Sequence, residues 1–138
     1  VRIIENLIKK IDSKKVKTIK EINNKFINSL INKNFNKSFY YDNLFHETLA
    51  KFADMKLAWK IISQINNQIN RIRHLSFTHE GLWHYGFDLL IKDHQEIIKY
   101  ISRKDIKNSK KIMNKHISSV ERYVSFIKQQ KKFKKIIK

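Results

Sequence analysis

Four ionisable side chains stand where helical periodicity calls for apolar ones. Asp42 and His46 are spaced i to i+4 in the segment DNLFHETLA and share one side of a helix with Phe45 and Leu49. His94 falls in the middle of the stripe Phe87, Leu90, Ile91, His94, Ile97, Ile98 and Ile101, and His116 occupies the same place in Ile106, Ile112, Met113, His116, Val120, Tyr123 and Ile127. A carboxylate on an apolar face costs several kcal/mol, as an order of magnitude (~), unless something compensates it. A single case is accounted for by a hydrogen-bonded core histidine. Four cases on three helices around one core call for a common partner, and three imidazoles with one carboxylate make a suitable donor set for a divalent transition metal. There is no cysteine, so thiolate ligands and disulfides are both excluded. His74, His79 and His84 read as surface or lid positions.

Long helices must position these residues. The chain has no proline and only two glycines, Gly81 and Gly86, so the usual punctuation of strands and hairpins is missing. The apolar spacing predicts a short first helix over Val1–Ile11 and a second from the Asp12-Ser13 cap to about Asn32. A third is expected over Phe35–Ala53 behind Asn34, and a fourth from Asp54 to about Phe77. After a break at His79-Glu80-Gly81, a fifth runs from about Leu82 to Ser102, and a sixth, capped by Asp105, continues to about Gln130. Short connections between them imply an antiparallel all-α bundle, a single domain over residues 1–138. Bundle cores are where metal sites are built from facing helices.

The formal net charge is +18, a value associated with nucleic-acid partners. The excess is 25 lysines against five arginines, spread along the chain with 23 isoleucines and 13 asparagines. A dedicated phosphate- or guanine-reading surface uses more arginine, so the lysines are read as a solvated surface. The densest basic patch is the tail Gln129–Lys138. No apolar run is long enough to span a bilayer and no signal peptide is visible, which fits a cytoplasmic protein with no membrane partner.

Several segments resemble one family. DNLFHETLA, from Asp42, resembles the D-x-x-F-H-x-x-L signature of the FCD domain, the ligand-binding half of the FadR subfamily of GntR transcription regulators. KDHQEIIKYI around His94 resembles that family's E-H-x-x-I-x-x-A-I segment, with Asp93 in place of the glutamate. RKDIKNSKKIMNKH, ending in His116, resembles its D-x-x-x-A-x-x-x-M-x-x-H-L segment, and RIIE at Arg2–Glu5 its R-x-x-L-E opening. The two histidines are 22 residues apart, as suits the family. The resemblance implies six or seven antiparallel helices and a homodimeric regulator. It also implies a metal, zinc or alternatively nickel, held by Asp42, His46, His94 and His116, with a small carboxylate effector on its open positions. The sequence shows no winged helix-turn-helix and begins at Val1, so the chain is expected to be the effector half alone, reaching operator DNA only through a separate N-terminal domain.

Arg2 and Arg73 are the candidates for holding a second polar group of the effector, and Trp83 for closing the pocket. Two other classes remain open on residues alone. A helical-bundle metalloenzyme of hydrolase type could use the same four ligands, but Glu47 and Glu96 lie off the ligand faces and no Ser/His/Asp arrangement is evident. A basic nucleic-acid-binding module would bind without metal and in a salt-dependent way.

Overall fold

A computed structural model of the chain describes residues 2–60 and 83–116. Its helices begin where short polar side chains can take over the first free amides. Helix α1 spans Arg2–Lys10, α2 Ser13–Ile31 and α3 Phe35–Phe52. Asp12 accepts from Lys15 N at 2.8 Å and Asn34 from Lys37 N at 3.3 Å, satisfying one orphan donor at each start. A fourth helix, α4, is entered at 56 and followed to 60; α5 spans Trp83–Ser102, and α6 is described over 106–116. Asp105 caps α6, accepting from Asn108 N at 3.1 Å. The all-α architecture expected from the missing proline and glycine is found: six helical stretches and no strand among the described residues. The body of the fourth helix, the break at 79–81, the later turns of the sixth helix and the basic tail lie outside the described residues.

Helix ends solve the glycine shortage in an uncommon way. Lys33, Asp54 and Lys104 take φ of 56°, 55° and 56°, the left-handed region normally given to glycine after a helix. At each, the following amide reaches back five residues: Asn34 N to Ser29 O at 2.9 Å, Met55 N to Ala50 O at 2.8 Å, and Asp105 N to Tyr100 O at 3.0 Å. These bonds satisfy terminal carbonyls and offset the local strain. One expected boundary shifts as a result. Asp54 ends α3 instead of capping the fourth helix; its carboxylate pairs with Lys10 of α1, and Met55 O receives the amide of Trp59 at 3.1 Å.

Helix α2 packs along α3, and the three-residue link between them makes the pair antiparallel. It also meets α5, while α1 rests on α3 and α5. The core gathers Ile4, Leu7, Ile8 and Ile11 with Ile19, Phe45, Leu49 and Ala53, then Ile97, Ile98, Ile101 and Ile112. Fully burying one such aliphatic side chain is worth about 1.5–3 kcal/mol. Ile106, placed inward by the stripe of the sixth helix, is instead 43% exposed. The buried line of α6 runs through Ser109, Ile112 and His116, and Ile106 sits about a quarter turn off it.

Candidate metal centre

Asp42 and His46 sit one turn apart on α3, His94 lies on α5 and His116 on α6. The tertiary packing brings them together. One ring nitrogen from each of His46, His94 and His116 falls within 4.8 Å of the others. Asp42 Oδ1 is 3.0 Å from His94 Nε2 and 3.5 Å from His46 Nε2. Donors bound tetrahedrally at about 2.1 Å to one ion are about 3.4 Å apart, so the three nitrogens would need to close by about 1.4 Å or less.

Aromatic packing holds the rings. His94 is fully buried, stacked on Phe45 with centroids 4.1 Å apart and planes 9° from parallel, and tilted against Phe26 at 4.8 Å. His46 lies between Trp59 at 5.9 Å and His116 at 5.3 Å, and its side chain keeps 17% exposure. Of these three rings it is the one nearest to solvent.

The donor set fits a borderline divalent cation, and one atom makes the case specific. His94 Nε2 makes no hydrogen bond among the described residues, although Asp42 Oδ1 is 3.0 Å away. A buried polar atom left in that state costs free energy unless a third party satisfies it. Burial pushes His94 down to about 4, against the raising influence of the Asp42 carboxylate. Burial likewise lowers His116, with Asp93 opposing. Both rings are therefore neutral near pH 7, the state in which an imidazole can coordinate without first losing a proton.

Two buried polar residues at the centre escaped the sequence reading. His94 Nδ1 lies 3.1 Å from Asn23 Oδ1, across from α2, and His116 Nδ1 lies 3.0 Å from Asp93 Oδ2. A signal for both existed. Asn23 falls between Ile19 and Phe26 at helical spacing, and Asp93 between Leu90 and Ile97, so each interrupts an apolar line as Asp42, His46, His94 and His116 do.

Of the residues expected to hold an effector, Arg2 is exposed at the start of α1. Trp83 opens α5 by its backbone, while its side chain, like the whole of Arg73, lies outside the described residues. Glu47 is exposed on α3 and Glu96 half-buried on α5. Two adjoining grooves of about 600 and 380 Å³ run between α2 and the last turns of α5 and share Lys20 and Ser102; none of Asp42, His46, His94 and His116 lines them.

The model of the FCD domain family matches residues 1–119. The HTH-type transcriptional repressor RspR of Escherichia coli (strain K12) is 27% identical over 92 residues, which are 67% of this chain and 39% of that protein. The uncharacterized HTH-type transcriptional regulator YdfH of Shigella flexneri matches to the same extent. The match thus spans well under half the length of these relatives. No solved structure matches.

Proposed function

The chain belongs to the FCD domain family, and from that premise we propose that it is the effector-sensing domain of a bacterial GntR/FadR-type transcription regulator. It is a regulator domain and not an enzyme. Asp42, His46, His94 and His116 would hold a divalent ion, zinc or nickel, and such an ion when bound supplies Lewis-acid positions for the carboxylate of a small organic acid. The observation that carries this reading is the buried, hydrogen-bond-free Nε2 of His94 beside Asp42 Oδ1, with His46 and His116 converging on it.

The protein's own residues do the rest. Phe26 and Phe45 fix the His94 ring and keep water from its faces. Asp42, as the carboxylate among the four ligands, leaves a dication centre with a formal charge of about +1, which favours an anionic ligand. Arg2, Arg73 and Trp83 are proposed to meet the remainder of the effector. Binding must favour one arrangement of the helices over another to reach the rest of the regulator. DNA contact is assigned to a separate domain, a view supported by the helix-turn-helix names of the relatives. We further propose a homodimer acting in the cytoplasm; no described helix is long and apolar enough to cross a membrane.

Elemental analysis of the purified domain beside an Asp42→Ala/His94→Ala variant tests the reading. Stoichiometric metal in the parent and none in the variant supports it. A parent that stays folded and metal-free after incubation with zinc and with nickel removes its basis.

A further inference from the structure

On the metal reading above, we propose that Asn23 and Asp93 are positioning residues for this centre: each accepts the Nδ1 hydrogen of one imidazole, His94 and His116 respectively, and so leaves Nε2 of both rings bare for the ion. Neither residue is a ligand, and both are buried, Asn23 at 3% and Asp93 at 0% exposure.

A neutral imidazole carries its hydrogen on one nitrogen and its lone pair on the other, and the partner of the first decides the second. Asp93 is acceptor-only when ionised, so its 3.0 Å contact places the hydrogen of His116 on Nδ1. Asn23 could in principle turn its amide and offer nitrogen instead of oxygen. His94 would then carry its hydrogen on Nε2 and donate it to Asp42 Oδ1, 3.0 Å away, as an ordinary buried His–Asp bond. In the structure that 3.0 Å approach is not aligned as a hydrogen bond, and Nε2 has no aligned hydrogen-bond partner among the described residues. The orientation with Asn23 Oδ1 towards Nδ1, at 3.1 Å, is the one consistent with both ends of the ring.

The two holds differ in consequence. Asp93 holds His116 from the position next to His94, so one turn of α5 serves two of the rings. Asn23 brings in α2, which supplies none of the four ligands. Outer partners of this kind raise metal affinity by fixing ring tautomer and orientation.

Long-range proton–nitrogen NMR of the metal-free, nitrogen-15-labelled chain reads the tautomers directly, and zinc affinity follows from competition with a chromophoric chelator. Nδ1–H on both His94 and His116 is expected in the parent. Zinc binding should weaken about 10- to 100-fold in Asn23→Leu and in Asp93→Leu. Asn23→Asp, which keeps the acceptor, should restore affinity to near the parent's. Nε2–H on either ring of the parent overturns the assignment without recourse to any variant. A parent that binds zinc while both leucine variants bind it equally well overturns the positioning roles alone. A parent that takes up no zinc overturns the metal reading itself.

Discussion

His94 Nε2 of α5 stands 3.0 Å from Asp42 Oδ1 of α3, with the two side chains 0% and 7% exposed. The two groups come from positions far apart in sequence and meet in a setting where a carboxylate must be compensated. Helix α3 also brings His46 to the same oxygen, at 3.5 Å, so Asp42 is the hub of the cluster.

Replacing Asp42 by Asn should therefore abolish stabilisation by metal. At free zinc a hundred times its Kd, the parent gains about 2.7 kcal/mol, seen as a rise in Tm. The variant should gain less than about 1 kcal/mol under the same conditions. An equal shift in both proteins would show that the ion sits elsewhere.

Acid should destabilise the metal-free domain in a defined window. His94 is held at about 4 by burial, against an ordinary value of 6.5. Between these values the unfolded chain binds the proton that the folded chain refuses, so stability is complete above pH 6.5 and falls as pH drops towards 4. His94 alone contributes a loss of roughly 3 kcal/mol across that window, and the downward shift of His116 acts in the same direction. Urea unfolding at pH 7 and pH 4.5 measures the effect. His94→Phe, entering a site already lined by Phe26 and Phe45, should flatten the slope.

Glycine at the left-handed positions should stabilise the fold. Lys33→Gly and Lys104→Gly relieve a Cβ clash at φ near 56°, with an expected gain of about 0.5–1 kcal/mol each. Thermal unfolding of the two variants should show Tm above the parent's; lower values for both would mean that the backbone does not take these angles.

The register of α6 is open to the same treatment. Ile112 is 4% exposed and Ile106 43%. Ile112→Ala should cost about 2–5 kcal/mol of unfolding free energy, whereas Ile106→Ala should stay within about 0.5 kcal/mol. Equal losses would restore the inward stripe expected from the sequence.

The helices and their starts were legible because their causes are local. Asp12, Asn34 and Asp105 cap amides three residues onward, and Ile4, Leu7, Ile8 and Ile11 line one face by helical spacing alone. Asp54 was misplaced because its backbone enters the left-handed region, a choice settled by the end of α3 and by Lys10 of α1. Asp42 and His46 could be paired as neighbours since a single turn separates them.

Periodicity says which side of a helix faces inward, but not which atom of another helix arrives at the same height. Only the assembled bundle sets Asn23 against His94, 71 positions apart in the chain, and Asp93 against His116, 23 apart. Those two contacts decide which nitrogen of each ring keeps its hydrogen, because a hydrogen bond depends on distances of a few tenths of an ångström that no spacing of residue types encodes.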